Sequence, residues 1–161
     1  FFSHMGLLHY SILLINKLAP TFLWASLFFI SGCHVGLSVF YFLMYMDYED
    51  DTGYSSEEIA RRLNWLFQIE YLTHGLCCFI LLLGAINSEG WHMCMFLFNL
   101  PILLYHIYLF HTGKYRINPA ALWKTVEWLK NETAIKLFLY CILLIFYTVC
   151  LVVAFLEIRS K

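Results

Sequence analysis

Glu70 and His74 are four residues apart, the spacing that sets two side chains on one face of a helix. His106 lies in the next apolar run, next to Tyr105, and Asn99 and Pro101 interrupt that run. A zinc ion would take Glu70, His74 and His106 if adjacent helices brought them together. General acid–base chemistry would need a second acid or a nucleophile with them, and none is evident. Nothing has the HExxH spacing. Glu70 and His74 would equally serve as partners for a neighbouring helix, and an ionisable group at membrane depth is a candidate for function by default. The expectation is helix packing by Glu70, Tyr71, His74, Asn99, Pro101, Tyr105 and His106, with no catalytic residue, no metal and no cofactor.

A second group of residues has the spacing of a surface helix. Asn118-Pro119 is a helix start, with Asn as cap and Pro at the first position. Over 119–130, Leu122, Val126 and Leu129 share a face, Trp123 lies beside them, and Lys124, Thr125 and Glu127 point elsewhere. Such a helix either anchors passively on the membrane interface or offers a docking surface to a cytosolic protein. The six cysteines fall inside apolar runs with no CxxC pair, so they read as small packing residues rather than a disulfide or zinc framework.

The elements that must hold these residues follow from composition. Of 161 residues, 61% are apolar and 13% charged, with a net charge of −1. A soluble globule of this size cannot hide that much apolar surface, and the chain is neither basic enough for nucleic acid nor polar enough for disorder. An all-α integral membrane protein remains. Spans are expected at about 21–46, 71–86, 91–110 and 135–156, the middle two forming a hairpin across Asn87-Ser88-Glu89-Gly90. Helices satisfy their own backbone groups in lipid, and no alternating barrel pattern exists. Trp24, Trp65, Trp91, Tyr45, Tyr71 and Tyr147 lie near span ends or along them, where several fit an interfacial aromatic belt. Residues 1–20, set off by Pro20, read as an N-terminal, interfacial extension, 21–156 as one membrane domain, and 157–161 as a short tail.

Charge gives the orientation. Arg61, Arg62, Lys114, Arg116, Lys124, Lys130 and Lys136 fall in the first and third loops, against Lys17, Arg159 and Lys161 on the other side. The positive-inside rule puts both loops in the cytoplasm and both termini in the lumen or outside. The Asn131-Glu132-Thr133 sequon is then cytoplasmic and unused.

The order Glu70-Tyr71-x-x-His74, Cys78, Trp91, Asn99-Leu100-Pro101-Ile102-Leu103-Leu104-Tyr105-His106-Ile107 resembles the cornichon family. So do Glu132-x-x-x-Lys136-Leu137 and Phe146-Tyr147 further on, and the resemblance covers about Thr21 to Leu156. It departs in the first loop, where Ser55-Ser56 stands for the family's Asn-Pro, Ala60 for its Cys and Ile69 for the Pro before Glu-Tyr. The resemblance implies an endoplasmic-reticulum membrane protein that cycles to the Golgi. It implies a non-enzymatic cargo receptor that gathers transmembrane cargo proteins into coat protein complex II vesicles. Its partners would be that cargo, vesicle coat subunits and the lipid bilayer, with no nucleic acid. Leu122-Trp123-Lys124-Thr125-Val126 matches by residue type the coat-contacting Ile-Phe-Arg-Thr-Leu motif of fungal members. The packing residues named above would then also line a cargo groove. The alternative function is an auxiliary subunit of a channel or receptor at the cell surface.

Overall fold

The computed structural model describes residues 2–50, 54–87 and 90–159. Its elements are α1 (Phe2–Glu49), α2 (Ser56–Asn87), α3 (Trp91–His111), a 3-10 turn (Pro119–Ala121) and α4 (Leu122–Arg159), with no strand among the described residues. Four segments are long and apolar enough to cross a membrane: Thr21–Glu49, Ser56–Ile86, Trp91–His111 and Pro119–Glu157. The four expected spans are therefore present. Ser88 and Glu89 of the expected turn lie outside the described residues, as do the side chains of 1–20. The helical backbone of α1 runs through Pro20, where a break was expected. A proline removes one hydrogen bond of the ladder, and flanking turns of apolar helix can carry the backbone across it.

Three helices run longer than the sequence pattern suggested. α2 has 32 residues and α4 has 38, which is roughly 48 and 57 Å at 1.5 Å per residue against a hydrocarbon layer of about 30 Å. α2 begins at Ser56 because Ser55 caps it. Its Oγ accepts from the Glu58 amide at 3.2 Å and its carbonyl from the Ile59 amide at 3.1 Å. Glu57 and Glu58 sit in the first turn, where the helix dipole favours negative charge. Ile59, Leu63 and Phe67 then repeat at helical spacing and are buried. The charged stretch expected as loop is thus an amphipathic helical start.

The expected short helix over 119–130 is likewise not a separate element. After the 3-10 turn, capped by Asn118 Oδ1 on the Ala120 amide at 3.1 Å, no Gly or Pro occurs between Leu122 and Arg159. Nothing stops the helix, so it continues into the last span. The excess length of α2 and α4 lies at their starts, beside the end of α1, and there the three helices build a core of their own. Tyr41, Tyr45, Ile59, Leu63, Phe67, Leu122, Val126 and Leu129 pack together at that end. A second core of Trp24, Leu27, Cys77, Leu81, Met95, Ile102, Tyr140, Leu143 and Tyr147 fills the rest of the bundle. Trp24, Tyr45 and Tyr147 are therefore core residues rather than members of an aromatic belt. Trp24 stacks on His92 at 4.7 Å. Trp65 and Trp91 are exposed, as a belt requires.

Candidate functional site

Between the two cores the helices exchange polar contacts. Glu70 on α2 is fully buried (0% exposed). Its Oε1 accepts a hydrogen bond from the Tyr140 hydroxyl at 2.9 Å and lies 3.6 Å from both Lys136 Nζ and His106 Nε2. Lys136 also pairs with Glu132 one turn earlier at 3.0 Å. Its ammonium sits 5.4 to 5.8 Å from the ring centres of Phe67, Tyr71 and Tyr105, where ring quadrupoles favour a cation. Burial would make either charge costly alone, so the pair and its aromatic walls form one unit.

Histidines extend this layer through the bundle. Tyr71 packs on His106 at 4.4 Å, His74 meets His106 edge-on at 5.2 Å, and His34 stacks on Tyr140 at 4.9 Å. His34 Nε2 shares a hydrogen bond with Thr73 Oγ1 at 2.8 Å, and His74 Nε2 lies 3.6 Å from Cys78 Sγ. Asn99 Nδ2 donates to the Met95 carbonyl at 2.7 Å and to the Tyr147 hydroxyl at 2.8 Å, tying α3 to α4. A cavity of about 10 Å³ among all four helices is lined by Ser31, His34, His74, Cys77, Asn99, Tyr140, Leu143 and Tyr147. It has room for about one water. Among the described residues no three His, Cys, Asp or Glu side chains are arranged to hold a metal ion. The described cysteines are all free.

Six of the seven packing candidates thus reach the helix interfaces: Glu70, His74, Asn99 and His106 fully, Tyr71 and Tyr105 partly. Pro101 does not. It was expected to face protein, and it is exposed. Two positions along a helix is about 200° of rotation, so burying Asn99 turns Pro101 outward. Lys136, Tyr140 and His34 were not among the expected packing residues, although Lys136 is part of the Glu132-x-x-x-Lys136 pattern. Lys136 stood at the edge of an apolar run, although Glu132 at i−4 was the available signal. Tyr140 and His34 had no local signal, because their partners lie on other helices.

The second candidate region is the start of α4. Of Leu122, Trp123, Lys124, Thr125 and Val126, the outer pair, Leu122 and Val126, is buried in the projecting core at 0% and 8% exposure. Two of the five coat-binding candidates are thus packed inside the fold. Positions i and i+4 share a face, and here this face packs on α1 and α2 rather than on the membrane or another protein. Trp123, at 64% exposed, Lys124 and Thr125 point outward, with Lys124 Nζ 4.9 Å from the Trp123 ring centre and Trp128 exposed one turn on.

Two long-range contacts aim this segment. Asn64 on α2 grips the backbone of Ile117 at both ends of its amide. Nδ2 donates to the carbonyl at 3.1 Å, and the Ile117 amide donates to Oδ1 at 2.7 Å. Lys130 bonds Glu49 at the end of α1 at 2.6 Å. The turn before α4 and its third turn are therefore both fastened to other helices. Asn64 carried no signal in the sequence, since its partner is a backbone segment far along the chain.

The chain matches the family model described as Cornichon protein over residues 21–149. It is similar to the ER-derived vesicles protein erv14 of Schizosaccharomyces pombe (strain 972 / ATCC 24843). The two are 24% identical over 137 residues, covering 85% of this chain and 95% of that protein. No solved structure gives a significant match.

Proposed function

The chain belongs to the cornichon family, and from that premise we propose that it is a non-enzymatic cargo receptor. In this reading it gathers transmembrane clients into coat protein complex II vesicles at the endoplasmic reticulum and cycles to the Golgi. The name of its relative, an ER-derived vesicles protein, supports a role in vesicle transport. The observation that carries the finer reading is the start of α4. There a large apolar ring and a cation, Trp123 and Lys124, stand exposed on a helix fastened from beneath by Leu122 and Val126. Exposed aromatic and basic side chains on a rigid support are what a protein partner uses as anchors. α4 also runs without interruption from these residues into its membrane span, so a client gripped by the spans and a coat bound at Trp123 are joined by one rod. The charge distribution supports a cytoplasmic position for this end and a lumenal position for both termini.

The buried polar layer holds the four helices in register and leaves their outer faces to the clients. Long client helices prefer thicker membranes than that of the endoplasmic reticulum, which gives such clients a reason to need a receptor. The test is a vesicle-budding assay with Trp123→Ala/Lys124→Ala. Client co-purification stays at the parental level and packaging is lost. Equal packaging by variant and parent rejects coat docking at this segment.

A further inference from the structure

The end of α3 carries a surface that the cargo-receptor reading does not use. No Asp or Glu occurs from Gly90 to Val126. α3 stops at His111, and Gly113 turns the chain with φ +69°, a conformation that costs glycine little. The turn brings Lys114 and Arg116 back beside the aromatic side chains of the preceding span. Lys114 Nζ lies 5.9 Å from the Tyr108 ring centre and the Arg116 guanidinium 5.2 Å from that of Tyr115, which stacks on Phe110 at 5.3 Å. Both cations are exposed, and neither is in an ion pair with a carboxylate among the described residues. Tyr108 and Phe110 are 51% and 68% exposed on the last turns of a candidate span, the place where a bilayer interface meets such rings and leaves neighbouring cations at headgroup level. The other corner of this end is the reverse. Glu49, Asp50, Glu57 and Glu58 gather at the α1–α2 junction, and Arg62 is bound there to Glu58.

We propose that Lys114 and Arg116, with Tyr108, Phe110 and Tyr115 beneath them, bind the headgroup of an anionic phospholipid. Charge complementarity selects the headgroup, and the exposed rings at the span end supply the acyl-chain contact that a soluble anion lacks. An acidic protein would satisfy the cations but leave Phe110 and Tyr108 facing lipid tails. The site does not depend on the coat-docking reading, because its residues are not those of the α4 segment.

The full chain is reconstituted in phosphatidylcholine vesicles with a trace of acyl-spin-labelled phosphatidylserine or phosphatidylcholine. The motionally restricted spectral component then reports lipid at the protein surface. The serine lipid is enriched about fivefold over the choline lipid for the parent protein. Lys114→Gln/Arg116→Gln brings the ratio to near one, while Lys114→Arg/Arg116→Lys keeps it. Arg61→Gln/Arg62→Gln removes the same charge from the opposite corner and leaves the preference in place. Loss of preference in that control, or its persistence in Lys114→Gln/Arg116→Gln, overturns the site. So does abolition by inorganic phosphate at matched ionic strength, which would mark a site for free anions. Unchanged lipid preference with lost coat binding in Lys114→Gln/Arg116→Gln would assign the surface to a protein partner instead.

Discussion

The pair Glu70–Lys136 and the pair Glu58–Arg62 are the same chemistry in opposite surroundings. The first is sealed between the bundle's two cores, with side-chain exposures of 0% and 7%. The second lies one and a half turns into α2 on the surface, at 35% and 45%. Within the buried layer each charge exists because the other does, and Tyr140, His106 and three aromatic rings complete the arrangement. At the projecting end the ion pairs are adjuncts to an apolar core that would form without them. The difference separates two roles. The buried layer turns its polar groups on itself and sets helix register, whereas the projecting end leaves Trp123, Lys124 and Trp128 facing outward.

Substitutions sharpen this contrast. Lys136→Met leaves a buried carboxylate without its cation, and thermal unfolding in detergent should show a loss of about 3–5 kcal/mol. Adding Glu70→Gln to Lys136→Met should recover most of it, because the pair is then replaced by neutral groups. If the double variant is no better than Lys136→Met, the pair is not the coupled unit described. Tyr140→Phe removes one hydrogen bond to a charged oxygen and should cost about 1.5–3 kcal/mol in the same melt.

At the projecting end, Asn64→Ala should cost about 1–2 kcal/mol for its two bonds to Ile117. Its larger signature is local: amide exchange over 113–121 rises while the spans stay protected, and coat binding falls with client binding unchanged. Protection of that turn in the variant equal to the parent would refute the clamp. Arg62→Ala should shift stability by about 0.5 kcal/mol or less, and less still in high salt. A glycan search at Asn131 tests the proposed orientation, with none expected if this loop is cytoplasmic. Thr133, the third residue of that sequon, is in any case 4% exposed.

Much of this was legible in the chain itself. The apolar runs determined the number of spans, because length and hydropathy in a bilayer leave few alternatives. The Leu122, Val126, Leu129 spacing determined a face, since helical periodicity is a local property. What that face meets was not local. It packs on α1 and α2, and that choice buries two of the five coat-binding candidates. The helix starts were half legible. Ser55 with Glu58 is a capping signature, yet the charges after it made the segment look like loop. Lys17, Arg159 and Lys161 against the cations of the two loops gave an orientation that the fold itself does not report.

The sequence by itself determined the class of molecule, its four spans and its family, because composition, run length and motif order are written in one dimension. Only the tertiary structure decided that Glu70, Lys136, His106 and Tyr140, drawn from three helices, share one buried layer. Only it decided that Asn64 holds Ile117 from 53 residues away. Contacts between helices depend on their rotation and register, and those emerge when two cores and a polar layer must be satisfied together.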